Sequence, residues 1–489
     1  MHKSRASRRS FLQATAGASA GLCLARHLEA AGEASRDSVL DAMQRAATYF
    51  RTRVARHGGY VYYYSTDLTR RLGEGVAGPE EVWVQPPGTP SVGLAYLAAY
   101  EATADKFYLE AARETGEALI YGQLQSGGWT ASIDFDPSGP RVGLYRNGKG
   151  RGRNNSTLDD GISQSAIRFL ARLNKTLDFK DEKVHETVQF ALKALLAAQY
   201  PNGAFPQVWT GSVAKQPVMK ASFPNYDWRT EGKIKNYWDM YTLNDGLAGT
   251  VTAALLDVHA VYKEPKYKEA AARLGDFLIL AQMPDPQPAW AQQYSYEMHP
   301  IWARRFEPAA ITGGESQDVL ETLITISRAT GDKKYLAPIP SALAYLKNSL
   351  LPDGRLARYY ELKTNKPLYM TRRGDEYSLT YDDIALPDHY GWKVESRLEA
   401  IELKYAAVKE SGIGSREGET PAEPPISPDD VRKIIAALDD QGRWISTYAG
   451  ERLAGQPKFK SGEKYIASAI FSRNVERLCT FVKSTKPGD

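Results

Sequence analysis

Two short runs carry the acidic chemistry of this chain. Ser156-Thr157-Leu158-Asp159-Asp160-Gly161 and Thr242-Leu243-Asn244-Asp245-Gly246 each end in aspartate and glycine, just ahead of a helical pattern. Carboxylates at such junctions have two uses. They can cap a helix, accepting from the free N–H groups of its first turn. As hard oxygen donors converging from two helix starts, Asp159, Asp160 and Asp245 could instead share a cation such as Ca²⁺. A third stretch, Ala289–Gln317, offers different chemistry. Trp290 and Trp302 bracket a segment with few regular-structure signals, and Arg304, Arg305, Phe306, Glu307 and Pro308 follow. Aromatic faces beside guanidinium groups suit a ring-shaped, polyhydroxylated, anionic ligand. The alternative is a surface loop with an ordinary Arg–Glu pair.

Between Gly139 and Asn155 lies a loop with Arg141, Arg146, Lys149, Arg151 and Arg153 spaced largely by glycines. So much glycine opposes a regular helix. The loop reads as a flexible basic lid over a polyanion or as a solvated loop. Other chemistries are excluded by their missing residues. None of the seven histidines forms a metal-spaced pair, there is no cysteine cluster, and no G-x-S-x-G elbow occurs. Gly73-Glu74-Gly75-Val76-Ala77-Gly78 matches a dinucleotide fingerprint, but Pro79 and an extended-looking Glu80–Gln85 stand where the helix should begin.

The elements that position these residues follow a repeating pattern. Helical stretches Val39–Arg56, Ser91–Leu124, Val184–Gln199, Tyr267–Gln282, Ile339–Leu351 and Pro428–Leu438 each run into a turn carrying Gly or Pro, then an aromatic or apolar residue. The turns recur every roughly 65–90 residues, room enough for a second helix in each interval. Helices Ile162–Leu173 and Leu247–Tyr262 follow the two aspartate runs. The expected fold is all-α: an α/α toroid, or partial barrel, of helical hairpins with short β segments in the loops. Residues 32–409 would form its catalytic domain. A linker at 410–428, rich in Glu, Ser, Gly and Pro, would lead to a C-terminal helical segment at 429–489.

Composition fits this reading. Of 489 residues, 43% are apolar and 25% charged, as in a globular protein. The 29 tyrosines and 9 tryptophans lean toward a protein that stacks against sugar rings. The formal charge of +4 comes from residues 1–31, where Lys3, Arg5, Arg8, Arg9 and Arg26 outweigh Glu29. Without them the charge is about zero, so no nucleic-acid footprint exists and anion binding must be local. Ser7-Arg8-Arg9-Ser10-Phe11-Leu12 resembles a twin-arginine export signal, ahead of a mildly apolar Ala14–Ala25 run. It implies a periplasmic or extracellular protein, with no membrane association once the signal is removed. Cys23 lies in that leader and leaves only Cys479, so no internal disulfide is expected.

Several of these runs together resemble the pectate lyases of polysaccharide lyase family ten. They are Thr157–Gly161, Gln199-Tyr200-Pro201-Asn202-Gly203-Ala204-Phe205-Pro206-Gln207, Leu243–Gly246, Ile301-Trp302-Ala303-Arg304, Ala357-Arg358-Tyr359-Tyr360-Glu361, and Thr364–Pro367 leading to Arg372. The resemblance spans roughly residues 80–400. It implies cleavage of polygalacturonate by β-elimination, with Asp159 and Asp245 holding Ca²⁺ and substrate. Asp160 stands where the family often has Asn. The resemblance further implies that Arg372 is the catalytic base and that Arg304 and Arg358 hold substrate carboxylates. Thr371-Arg372-Arg373-Gly374 departs from the family, where acidic residues often flank the arginine. An arginine base implies an alkaline optimum. Other readings are a glycoside hydrolase using two carboxylates, a terpene-cyclase-like protein, and a non-catalytic polysaccharide-binding protein.

Overall fold

A computed structural model describes residues 35–231, 233–410 and 426–485. The expected leader and most of the expected linker lie outside them. In chain order the helices are α1 (Arg36–Tyr49), α2 (Thr89–Thr103), α3 (Lys106–Gly122), α4 (Ile162–Thr176), α5 (Glu182–Ala197), α6 (Leu247–Tyr262), α7 (Pro265–Leu280), α8 (Gly313–Thr330), α9 (Ile339–Asn348), α10 (Leu398–Glu410), α11 (Pro428–Ala436) and α12 (Ser468–Ser484). The strands are short and lie in the connections, so the fold is all-α, of the α/α-toroid class. Among the described residues no helix is long and apolar enough to cross a membrane.

The chain divides into two compact units. One holds the described residues up to Trp83, those of Pro87–Ala118 and those after Pro421; the other holds Val84–Pro86 and Leu119–Thr420. In the first unit α12 packs on α1, α2 and α11. The Phe50 and Phe471 rings stack at 3.9 Å. Strands Tyr63–Ser65 and Lys464–Ala467 pair antiparallel, with Tyr63 opposite Ala467. The single helix expected over Ser91–Leu124 is two helices. Ala104 adopts a left-handed conformation (φ 58°), and Asp105 then caps the next helix through the Phe107 N–H. Nothing marks that break, because the residue taking the left-handed turn is alanine instead of glycine.

The second unit carries the repeated hairpins. α4 packs on α5 and α6, α6 on α7 and α8, and α8 on α9 and α10. α6 lies between neighbours, and its sequence says why: Leu247, Ala248, Val251, Ala254, Leu255 and Val258 are all buried. Each such Leu or Val contributes about 1.5–3 kcal/mol when removed from water. Its one acidic side chain, Asp257, pairs with Arg168 of α4 at 2.6 Å. The turns close tightly where glycine allows it. At Gly203 (φ +94°) a Cβ would fall 1.8 Å from the Arg273 carbonyl oxygen.

A short strand leads into each of three helices. Ser156–Thr157 precedes α4 and pairs with Val208–Trp209; Tyr241–Thr242 precedes α6 and pairs with Gln293–Tyr294. Ala310–Thr312 precedes α8 and pairs with Tyr359–Glu361, which in turn pairs with Pro367–Arg373. The stretches just before α4 and α6, Asp159–Gly161 and Asn244–Gly246, touch each other. Regular backbone thus delivers the starts of three alternate helices, α4, α6 and α8, to one region.

Candidate active site

The aspartate–glycine pairs are demanded by backbone geometry. Asp160 (φ 46°, ψ 27°) and Asp245 (φ 53°, ψ 33°) are left-handed, and each is followed by a left-handed glycine at the helix cap. Only glycine, asparagine and aspartate adopt this conformation cheaply. Neither helix has a side-chain cap bond, so these carboxylates are not spent on capping. Instead Asp159, Asp160 and Asp245 converge, with one oxygen from each within 4.8 Å of the others.

Amide donors hold the three in place. Gln207 Nε2 donates to Asp159 Oδ1 at 2.7 Å, Gln85 Nε2 to Asp160 Oδ2 at 2.8 Å, and Asn244 Nδ2 to Asp245 Oδ2 at 2.5 Å. Burial, then the charges of Asp159 and Asp160, push the Asp245 carboxyl well above the usual carboxylate range. Asn244 Oδ1 beside it is buried with no hydrogen-bond partner. Crowded hard oxygens with an unsatisfied carbonyl among them fit a divalent cation such as Ca²⁺, which Asp159, Asp160 and Asp245 would hold.

Arg304 joins this cluster. Its Nη2 lies 3.6 Å from Asp159 Oδ2 and its Nη1 lies 3.6 Å from Oε1 of the buried Glu307. Burial alone would lower its pKa, but Glu307, Asp159 and Asp245 more than offset this and hold the guanidinium firmly charged. Arg358 is more enclosed. It pairs with buried Glu315 at 3.1 Å and its guanidinium lies 4.3 Å from the Tyr390 ring centre. There too burial opposes the charge and the carboxylate, Glu315, prevails. Tyr390 links the two arginines, since its hydroxyl donates to Glu307 Oε1 at 2.9 Å. An opening of about 320 Å³ is bordered by Asp245, Glu315, Asp318, Arg358 and Arg397, so Asp245 and Arg358 face one space.

The other expected site residues stand elsewhere. Arg372 lies on the exposed end of strand Pro367–Arg373. Its Nε donates to the Gly374 carbonyl at 2.6 Å, and its Nη2 reaches Asp375 at 3.4 Å. These contacts stay within its own hairpin. The two tryptophans correct the expectation of open stacking faces. Trp290 is 0% exposed and its indole N–H donates to the Leu278 carbonyl, so it belongs to the core. Trp302 is 4% exposed, with Lys233 Nζ 4.6 Å from its ring centre and Trp228 beside it. Its indole N–H donates to the Arg304 carbonyl at 3.0 Å, which fixes the backbone that carries the guanidinium.

The family model described as pectic acid lyase matches residues 123–356. That match makes the chain an enzyme of the lyase class. The matched segment contains both aspartate motifs and Arg304, and it ends before Arg358 and Arg372. Among curated proteins none matches the sequence. A Family 10 polysaccharide lyase from Cellvibrio cellulosa is similar at 20% identity, covering 66% of this chain and 97% of its own, with a TM-score of 0.45. A mutant of a Family 10 polysaccharide lyase from that organism, in complex with trigalacturonic acid, gives 19% identity, 67% and 98% coverage and a TM-score of 0.45. Cellobiose 2-epimerase from Bacillus thermoamylovorans gives 13%, 92% and 99%, and 0.46.

The Arg–Glu pair weighed from the sequence is Arg304 with the buried Glu307. Other residues that shape the site carried no sequence signal. Glu315 is a buried carboxylate whose importance lies in pairing Arg358. Tyr390 is one tyrosine among many. Gln85 reaches Asp160 from 75 residues away.

Proposed function

We propose that the chain cleaves an anionic polyuronate, polygalacturonate, by β-elimination assisted by Ca²⁺. One observation carries the reading: a guanidinium, Arg304, lies 3.6 Å from a carboxylate of a three-aspartate cluster. A uronate ring has an acidic hydrogen on the carbon bearing its carboxylate. Its removal builds enolate-like charge, so the main requirement is a site that neutralises that carboxylate. Ca²⁺ bound by Asp159, Asp160 and Asp245 would supply Lewis-acid polarisation there.

The chain's own groups supply the rest. Arg358 faces the same opening as Asp245 and is suited to a second oxygen of the carboxylate, with Glu315 and Tyr390 fixing its orientation. A base must lie within hydrogen-bond reach of the ring proton, and position comes before pKa in choosing it. Position favours Arg304 over Arg372, whose contacts are with its own hairpin turn. Arg304 is held charged by its carboxylates, so the base form requires alkaline pH, or neutralisation of those carboxylates when the site is filled. The proton goes to the neutral guanidine form of Arg304, its C–H electron pair forms the new double bond as the bond to the glycosidic oxygen breaks, and that oxygen leaves taking a proton from solvent. The new double bond absorbs in the ultraviolet.

An inverting hydrolase fits less well. Carboxylate oxygens within 4.8 Å of one another are closer than the roughly 6.5–9.5 Å of an inverting glycosidase pair, which must admit a water. Export by the twin-arginine route rests on the leader sequence and is proposed with this function. The test is absorbance on polygalacturonate: a cation-dependent rise supports elimination, whereas cleavage without a rise means hydrolysis and binding without either means a non-catalytic protein.

A further inference from the structure

The basic loop before the first aspartate motif is left unused by this mechanism. From 139 to 155 it carries Arg141, Arg146, Lys149, Arg151 and Arg153 and no acidic residue. It is built into the second unit by specific bonds. Tyr145 bridges to Leu124, Gly143 bridges to Arg153, and Asn154 Oδ1 accepts from the Ser126 N–H at 2.7 Å. Arg146 is committed to the body of the unit, pairing with Glu186 and lying over the Phe190 ring.

Two glycines fold the loop back on itself. A Cβ on Gly150 would fall 1.9 Å from the Gly143 carbonyl oxygen, and one on Gly152 would fall 1.6 Å from that of Val142. The side of the chain on which those hydrogens sit is therefore filled by backbone. Lys149, Arg151 and Arg153 alternate with these glycines along the chain. All three are exposed. Among the described residues neither Arg151 nor Arg153 has a carboxylate partner, unlike Arg304 and Arg358. Arg153 also lies close to the cluster along the chain. Asp159 is six positions further on, a span of at most about 22 Å.

We propose that Lys149, Arg151 and Arg153 form an outer subsite that binds carboxylates of the polyuronate chain beyond the unit being cleaved. This rests on the polyuronate reading above for its ligand. A repeating anion fits a cluster of exposed cations on a backbone tied to the unit; among the described residues Arg151 and Arg153 have no carboxylate partner, and Lys149 lies 5.6 Å from the Tyr121 ring centre.

The experiment is native electrophoresis of the full chain through gels containing polygalacturonate, with and without lyase turnover measured in parallel on a short oligogalacturonide. The variants are Arg151→Glu/Arg153→Glu and a control with the same charge change on exposed helix positions, Lys175→Glu/Lys183→Glu, all checked for unchanged thermal unfolding. The subsite predicts binding about tenfold weaker in the first variant, near wild type in the control, and unchanged turnover of the short substrate. Equal loss in both variants, or no retardation of the wild type, overturns it. So does an equal loss in a gel containing DNA, which would mean general polyanion binding. If the wild type binds polygalacturonate but cleaves nothing, the lyase mechanism fails while the subsite is still decided by the binding comparison.

Discussion

Arg304 Nη2 and Asp159 Oδ2 lie 3.6 Å apart, although 145 positions separate them in the chain. Asp159 comes from the strand-to-helix junction before α4. Arg304 comes from the loop before α8, where Trp302 holds its carbonyl. Their meeting turns an acidic cluster into a site with both signs of charge, which an anionic sugar needs.

Arg304→Ala should lower kcat/KM on polygalacturonate by roughly 10²–10⁴, the range for removal of a general base. Arg372→Ala should stay within about tenfold of wild type, as expected for an exposed group acting on binding alone. Steady-state kinetics of both variants decides between them. Loss of turnover on changing Arg372, with Arg304→Ala active, would return the base to the hairpin.

Ca²⁺ should raise the melting temperature. At a hundred times its dissociation constant a ligand adds about 2.7 kcal/mol to stability. Asp159→Asn should abolish that shift, because it removes one of three converging carboxylates. A shift of equal size in this variant would place the ion elsewhere.

Trp290→Phe and Trp302→Phe should fail differently. The first loses a core hydrogen bond to Leu278 and leaves a void, costing about 1–3 kcal/mol in denaturant unfolding with kcat little changed. The second frees the Arg304 carbonyl and should depress kcat more than stability. Equal kcat in the two variants would show that the Trp302 bond does not position the guanidinium.

Glu361 gives a pH signature independent of catalysis. Burial works against its charge, but Thr364, Tyr381 and Arg229 more than compensate and hold its pKa below the ordinary 4.5. Tyr381 donates to it at 2.6 Å. A depressed folded pKa gives stability that is complete above the ordinary value and lost as pH falls through the folded one. Glu361→Gln should therefore be less stable than wild type at neutral pH, and the gap should narrow in acid. Unfolding curves with a constant gap would contradict this.

Much of the scaffold was readable because helices announce themselves by period and turns by glycine. The expected Leu247–Tyr262 helix is reproduced to the residue, and α5, α7 and α9 begin within two residues of expectation. Asp160 and Asp245 were visible because left-handed backbone restricts the residue type, and the glycine after each repeats the signal. Trp290 and Trp302 misled because aromatic residues next to a loop look the same whether they face a ligand or fill a core. Glu315 and Tyr390 were invisible for a related reason. Their role is set by partners 43 and 83 residues away along the chain, and no local pattern encodes that. The split at Ala104 escaped because alanine favours helix.

The most direct measurement is the ultraviolet absorbance of polygalacturonate mixed with purified protein, followed from neutral to strongly alkaline pH with Ca²⁺ and with a chelator. Ca²⁺-assisted elimination with Arg304 as base predicts a steady rise that strengthens toward alkaline pH, stops on chelation and is missing in Arg304→Ala. No rise at any pH, or a rise that chelation and Arg304→Ala leave untouched, would contradict it.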